Sequence, residues 1–210
     1  AAVTAPTCTE AGFTTYTCEC GESYVADEVA ALGHNYVNGK CSRCGEKDPD
    51  YVCAGGEACP SKVFTDAPKA GTWAHAGIDY CVETGLMKGI SDGIFNPNGT
   101  VTRGQLVTIL YRIAGEPDYT SSKSFSDVKA GRYYTKAVIW AAENGIVNGY
   151  SDGTFLPERE ISREQIATIL YRYENQPSVT GTLSFPDSAK VSGYAKNAML
   201  WATQKGLING

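Results

Sequence analysis

Apolar side chains recur at i, i+3, i+4 and i+7 in two stretches of the chain, Leu106, Ile109, Leu110, Ile113 and Ile166, Ile169, Leu170, Tyr173. That period predicts helices over Gly104–Ile113 and Glu164–Tyr173, each with one stripe to bury. A Gly-rich turn precedes each, and before the turn a further helix is predicted around Ala74–Glu83 or Lys136–Glu143. The first 60 residues read differently. Gly12–Thr17 and Ser23–Val29 contain Thr, Tyr and Val in alternating segments, which predicts short strands and a small β module.

The helical part repeats itself. Phe64-Thr-Asp66, Phe125-Ser-Asp127 and Phe185-Pro-Asp187 open three copies spaced 61 and 60 residues apart. Offsets of 60 or 61 likewise carry Trp73 to Tyr134 and Tyr194, Tyr80 to Trp140 and Trp201, Gly85 to Gly145 and Gly206, and Gly89 to Gly149 and Gly210. Each copy is a helix-loop-helix unit that cannot bury its stripe alone, so adjacent copies must pack together. Residues 61–210 are therefore expected to form one mainly α domain, with copies at 64–120, 125–180 and 185–210, behind a Cys-rich β module at 1–60. The third copy is incomplete, since Gly210 falls before its second helix. The linkers Gly115–Ser124 and Asn175–Ser184 are polar, and each holds a proline.

Seven of the eight cysteines lie within residues 1–60, a density natural to an oxidising compartment. Residues 1–60 carry 3 Lys+Arg against 9 Asp+Glu, and the whole chain has a net charge of −5, which argues against a nucleic-acid partner. No apolar run approaches the roughly 18 residues of a membrane span, so no membrane insertion is expected. The first residue, Ala1, fits a processed, secreted chain and fits a trimmed one equally.

Candidate chemistry sits where the repeat loops enter the second helices, at Thr102-Arg103-Gly104-Gln105 and Ser162-Arg163-Glu164-Gln165. Thr102 and Ser162 head capping boxes closed by Gln105 and Gln165. A fixed helix N-terminus offers amide donors and partial positive charge, and Arg103 or Arg163 adds a planar fork suited to carboxylate or phosphate. The competing reading pairs each arginine with Asp92 or Asp152 of the preceding turn. A calcium reading of Ser91, Asp92, Asn96 and Asn98 is weaker than turn chemistry, because the spacing and closing glutamate of an EF-hand are absent.

Phe-Thr-Asp, Trp73, Gly-Leu-Met-Lys-Gly-Ile-Ser-Asp-Gly-Ile-Phe-Asn-Pro and Val-Thr-Arg-Gly-Gln-Leu-Val-Thr-Ile-Leu-Tyr-Arg together resemble the S-layer-homology family. Asn148-Gly-Tyr-Ser-Asp-Gly-Thr-Phe-Leu-Pro with Ile161-Ser-Arg-Glu-Gln in the second copy is similar too. The resemblance covers residues 64–210. It implies a pseudo-threefold bundle whose grooves bind secondary cell-wall polysaccharide, often through a terminal pyruvate ketal. It further implies Arg103 and Arg163 as carboxylate partners, Asp92 and Asp152 on sugar hydroxyls, and Trp73 or Tyr134 as apolar contacts. The family's motif after Thr-Arg usually ends Ala-Glu; here it ends Gly-Gln and Glu-Gln.

The N-terminal cysteines resemble a zinc-ribbon-like repeat. Cys41-x-x-Cys44-Gly has metal-knuckle spacing, but Cys18-x-Cys20 is tighter than the usual partner, so Cys8, Cys18, Cys20, Cys41, Cys44, Cys53, Cys59 and Cys81 are read as disulfide candidates. Zinc on Cys18, Cys20, Cys41 and Cys44 is the alternative, and no other cofactor is expected. His34 reads as a packing or metal residue and His75 as a surface or groove residue. With only two imidazoles and no partnered nucleophile, an enzyme is not indicated. The expected function is a secreted, non-catalytic cell-surface module that holds a bacterial protein on wall polysaccharide. The alternative is a self-assembling subunit of a layer or filament in which a neighbouring chain completes the third copy.

Overall fold

The computed structural model describes residues 1–37, 39–48, 50–51, 53–56 and 59–209. Gly210, the third turn glycine of the repeat, and Glu57 and Ala58 between Cys53 and Cys59 lie outside the described residues. The helices are α1 (His75–Glu83), α2 (Arg103–Ile113), α3 (Thr135–Glu143), α4 (Arg163–Tyr173) and α5 (Lys196–Gln204). The strands are β1 (Ala2–Thr4), β2 (Gly12–Thr17), β3 (Ser23–Val29), β4 (Tyr36–Val37) and β5 (Lys40–Cys41). Helix accounts for 29% of the described residues and strand for 12%, so helices outweigh strands, and turns and loops make up the rest.

The chain forms two compact units, one of Ala1–Glu83 with Gly89–Phe95 and one of Thr84–Lys88 with Asn96–Gly210. This division departs from the boundary expected at residue 60, because α1 goes with the N-terminal unit. Asp79 on α1 accepts the Ser61 N–H at 3.0 Å, and the Cys59 thiol lies 3.3 Å from His75 Nε2. These buried polar contacts join α1 to the segment before it.

In the first unit, β1, β2 and β3 form an antiparallel sheet with Val3 opposite Thr14 and Tyr16 opposite Tyr24. The Tyr16 and Tyr24 rings stack at 5.2 Å. Every residue of β1 is exposed, as is nearly all of β3. Strands β4 and β5 pair in a second small sheet.

In the second unit the helices pair between copies. The second helix of one copy packs on the first helix of the next, α2 on α3 and α4 on α5. Leu106, Val107, Leu110 and Tyr111 of α2 meet Ala137, Val138, Trp140 and Ala141 of α3 in one core. Ala167 and Tyr171 of α4 meet Ala198, Met199, Trp201 and Ala202 of α5 in a second. Small alanines on α3 and α5 admit the larger side chains of the partner helix. The repeat returns the same aromatic pair at each joint, Tyr111 with Trp140 at 5.3 Å and Tyr171 with Trp201 at 5.7 Å. Such pairs contribute about 0.5–1.5 kcal/mol beyond their buried area. Ile113, the last position of the predicted α2 stripe, is half exposed because it falls in the final turn of the helix.

The Phe-x-Asp start of each copy organises its own loop. Asp127 accepts the N–H groups of Phe155 and Leu156, each at 2.8 Å, and Asp66 accepts that of Phe95 at 2.7 Å. The turn glycine is needed because the starting phenylalanine lies against it: a Cβ on Gly149 would stand 2.4 Å from the Phe125 ring. Leu156 has φ 57, a left-handed conformation costing roughly 1–2 kcal/mol for a side chain of this kind. The corresponding residue of the first copy is Asn96, with φ 62, and asparagine tolerates this region. Leu156→Asn is expected to raise the stability of the chain by about 0.5–1 kcal/mol in urea denaturation.

Candidate functional site

Both capping boxes form. The Thr102 hydroxyl accepts the Gln105 N–H at 3.3 Å while Gln105 Oε1 accepts the Thr102 N–H at 2.9 Å, and Ser162 and Gln165 repeat the exchange at 3.4 and 3.2 Å. At α2, however, the helix N-terminus is not an open anion site. Its Arg103 and Gly104 N–H groups donate to the carbonyls of Arg159 and Pro157, at 3.0 and 2.8 Å. The loop of the second copy docks there, and Gly104 permits it: a Cβ at this position would lie 3.0 Å from the Pro157 carbonyl and 3.2 Å from the Tyr134 ring.

The arginine side chain takes over the role expected of the amides. Arg103 is 6% exposed; its Nε donates to the Phe155 carbonyl at 2.9 Å and its Nη2 to the Asn148 carbonyl at 3.3 Å. The guanidinium lies over the rings of Phe155 and Tyr150, 4.5 and 5.1 Å from their centroids. Burial draws its pKa below the ordinary arginine value, yet a guanidinium stays protonated. Among the described residues it forms no ion pair, so the expected alternative pairing with Asp92 or Asp152 is not what holds it. Arg163 repeats the inter-copy contact, donating to the Asn209 carbonyl at 2.7 Å, but is exposed.

Beside Arg103 opens a cleft of about 220 Å³ lined by Val147, Asn148 and Tyr150 of the turn, Gln165, Thr168, Ile169 and Arg172 of α4, and Tyr194 of the third copy. Two arginines and no carboxylate line it, so its field favours an anion. The Tyr150 hydroxyl is buried and makes no hydrogen bond to any described residue. Tyr194 forms the aromatic rim. Its hydroxyl donates to Glu164 Oε1 at 3.1 Å, and the same carboxylate accepts the Ser192 N–H and hydroxyl, both at 2.9 Å. The Ser192 N–H, against the opposing effect of burial, holds the Glu164 pKa below its usual value.

Comparison with protein families finds the S-layer homology domain at residues 63–107, 124–167 and 184–210. The chain belongs to the S-layer homology family. It is 32% identical to an amylopullulanase of Thermoanaerobacterium thermosulfurigenes over 71% of this chain and 8% of that protein. It is also 32% identical to a surface-layer 125 kDa protein of Lysinibacillus sphaericus over 70% of this chain and 12% of that one. With a cellulosome-anchoring protein of Acetivibrio thermocellus the identity is 29%, over 51% and 24%. The chain thus spans a small part of the length of these relatives. As an S-layer homology chain it is a cell-surface or extracellular protein, and none of its described helices is long and apolar enough to cross a membrane.

The other residues singled out in the S-layer homology repeats serve different ends. Asp152 is exposed and accepts the N–H and hydroxyl of Thr154, at 2.9 and 2.7 Å, which braces the turn and lowers its pKa. Asp92 is exposed in the corresponding turn of the first copy. Trp73 is 97% exposed, whereas Tyr134 is 4% exposed inside the α2–α3 core and is not a surface contact. In register with Trp140 and Trp201, Tyr134 corresponds to the buried Ala195, and the counterpart of Tyr194 is Tyr133, which is exposed as well. Gly104 lets Tyr134 close onto α2, while Glu164 at the equivalent place holds the Tyr194 hydroxyl. Tyr150, Arg172, Gln165 and Tyr194 were not singled out from the sequence as ligand residues. Arg172 follows Tyr171 as Arg112 follows Tyr111, a pair that recurs between the copies, whereas Tyr150 replaces Ile90 of the first copy and no repeat marks it.

Of the eight cysteines, Cys18 and Cys20 are joined in a disulfide, and Cys8, Cys41, Cys44, Cys53, Cys59 and Cys81 are free. The metal set Cys18, Cys20, Cys41 and Cys44 is therefore not assembled; Cys8 and His34 stand with Cys41 and Cys44 instead. Burial pushes the Cys8 thiol up to about 11. Burial also opposes ionisation of Cys41, but the N–H groups of Cys44, Arg43 and Asn35 and the His34 ring outweigh it and bring that thiol to about 5.

Proposed function

We propose that the chain is a non-catalytic module that holds a larger protein on anionic cell-wall polysaccharide, with the cleft beside Arg103 as the sugar site. The observation that carries this reading is the coincidence of two arginines and an unsatisfied Tyr150 hydroxyl in a cleft without carboxylates. Its volume falls below the roughly 300–1,000 Å³ of drug-sized sites, which suits a terminal sugar rather than a length of chain. A pyruvate ketal on that sugar would present its carboxylate to Arg103 and Arg172, its hydroxyls to Tyr150, Gln165 and Asn148, and a ring face to Tyr194. The pairing of α2 with α3 and α4 with α5 supports a pseudo-threefold arrangement of copies, in which each groove draws on two neighbours. The relative named a cellulosome-anchoring protein supports the anchoring role.

Tyr150→Phe separates binding from folding. The substitution removes a hydroxyl that no described residue satisfies, so stability stays unchanged or rises slightly. Affinity for purified pyruvylated wall polysaccharide is expected to fall about fivefold to tenfold, the loss of one ligand hydrogen bond of about 1 kcal/mol. Calorimetric titration measures it, and unchanged affinity would remove Tyr150 from the site. Polysaccharide stripped of pyruvate tests the ketal: equal binding to both forms sinks that assignment alone.

The relatives named surface-layer proteins favour a second reading, in which the chain is part of a self-assembling subunit. Light scattering over a concentration series without polysaccharide distinguishes the two, since assembly grows with concentration and anchoring does not require it.

A further inference from the structure

Within residues 1–60, the buried hydrophobic positions among the described residues are four cysteines, Cys8, Cys41, Cys53 and Cys59. Among the described residues of this stretch no aliphatic or aromatic side chain is buried with them, the rest of the first unit adds only Phe64, Ile78 and Phe95, and β1 and nearly all of β3 are exposed. Such a module buries too little apolar surface to offset the entropy of ordering its backbone, and small domains of this kind depend on a covalent or metal staple. The disulfide between Cys18 and Cys20 closes only a three-residue turn. It does not connect distant segments.

Five of the six free thiols are gathered into two quartets, Cys8, His34, Cys41, Cys44 and Cys53, Cys59, His75, Asp79. In each, the four donor atoms lie within 4.8 Å of one another. A tetrahedral ion with metal–sulfur bonds of about 2.3 Å and metal–nitrogen bonds of about 2.0–2.1 Å sets sulfur pairs about 3.8 Å apart and sulfur–nitrogen pairs about 3.6 Å apart. Cys8 and Cys41 Sγ are 3.7 Å apart, and Cys44 Sγ is 3.5 Å from His34 Nδ1. In the second quartet Cys59 Sγ lies 3.3 Å from His75 Nε2 and 3.2 Å from Asp79 Oδ2, within a few tenths of those edges.

Each quartet also has the supporting contacts that orient metal ligands. His34 Nε2, the nitrogen facing away from the thiols, lies 3.6 Å from the Glu46 carboxylate. The Asn35 N–H donates to Cys41 Sγ at 3.4 Å, and the Cys41–Cys44 turn closes through the Gly45 N–H on the Cys41 carbonyl at 2.8 Å. In the second quartet His75 Nδ1 sits 2.8 Å from the Pro68 carbonyl, which takes its proton and leaves the Nε2 lone pair facing the thiols. The Ser61 N–H fixes Asp79 Oδ1 at 3.0 Å, and the Gly55 N–H reaches Cys53 Sγ at 3.4 Å. His75 and Asp79 stand four residues apart on α1, one above the other on a single helix face.

We propose that each quartet binds one divalent ion of the zinc class, the second of them fastening the first helix of the first repeat to the segment that precedes it. Thiolate and imidazole donors select zinc over calcium or magnesium, which take oxygen ligands. The cysteines bind as thiolates, three at the first site and two at the second, with any remaining thiol protons passing to solvent; His34 and His75 donate lone pairs as neutral rings, and Asp79 binds as the carboxylate. No oxidant is involved.

The experiment is elemental analysis of the 210-residue chain reconstituted with zinc chloride under reducing conditions and freed of excess metal. About two zinc ions per chain are expected. The double variant Cys41→Ser with Cys44→Ser is expected to lose one, and Cys59→Ser or Asp79→Asn the other. Cobalt in place of zinc is expected to give sulfur-to-metal charge transfer and the visible bands of a tetrahedral ion. Should a cysteine variant fail to fold, release from the wild-type chain by an organomercurial, read with a metal indicator, counts thiolate-bound zinc without any substitution. A quartet whose variant retains both ions is overturned. A reconstituted wild-type chain holding no zinc, or one whose Cys8–Cys41 or Cys53–Cys59 pairs prove to be disulfides, overturns the metal assignment at the sites concerned.

Discussion

Arg103→Ala is expected to abolish measurable binding of anionic wall polysaccharide, a loss of about 100-fold or more, and to lower stability by about 3 kcal/mol. Two costs combine. The substitution removes the buried cation of the cleft, and it leaves the Phe155 and Asn148 carbonyls without the donors that satisfied them. Arg163→Ala is the internal control. Arg163 heads the same motif one copy later and makes the corresponding contact to Asn209, but from an exposed position. Its removal is expected to cost about 1 kcal/mol or less, with a change in affinity of only a few fold. Urea denaturation and calorimetric titration of both variants measure the four quantities. Equal losses of affinity in the two would show that the cleft beside Arg103 has no special place in binding.

That contrast between two equivalent arginines marks how far the sequence could be read. The repeat was legible because its period is enforced by packing: Tyr111 and Tyr171 need Trp140 and Trp201, and Gly149 must admit Phe125. The predicted spans of α2, α3 and α4 agree with the structure to within a residue, and β2 and β3 agree throughout. The capping boxes were legible for the same reason, since both partners lie within four residues of each other. What the sequence did not show is which copy meets which. The expected helix N-terminal anion site at α2 is closed by carbonyls of residues more than fifty positions away, Pro157 and Arg159. No local pattern encodes that contact except the single choice of glycine over glutamate at position 104. The cysteines posed the same difficulty. Cys41 and Cys44 advertise a knuckle, but their partners Cys8 and His34 are brought in by the chain path, and Cys53, Cys59, His75 and Asp79 share no motif that spacing alone would reveal.

Phe155→Ala is expected to destabilise the second unit by about 3–5 kcal/mol, the cost of removing a fully buried aromatic side chain whose surroundings only partly collapse. Phe155 is 0% exposed, meets Phe125 at 5.5 Å and lies under the Arg103 guanidinium. Its N–H is held by Asp127 while its carbonyl accepts from Arg103. The residue therefore joins the copy's Phe-x-Asp start to the arginine of the copy before it, and a cavity there frees both. Affinity for polysaccharide is expected to fall with stability in this variant, because Arg103 loses the ring that positions it. Tyr150→Phe is expected to lower affinity without lowering stability, and Arg103→Ala to lower both. A Phe155→Ala chain that unfolds earlier in urea yet binds with wild-type affinity would show that the arginine is positioned by its two carbonyls alone, and the ring would then belong to the core rather than to the site.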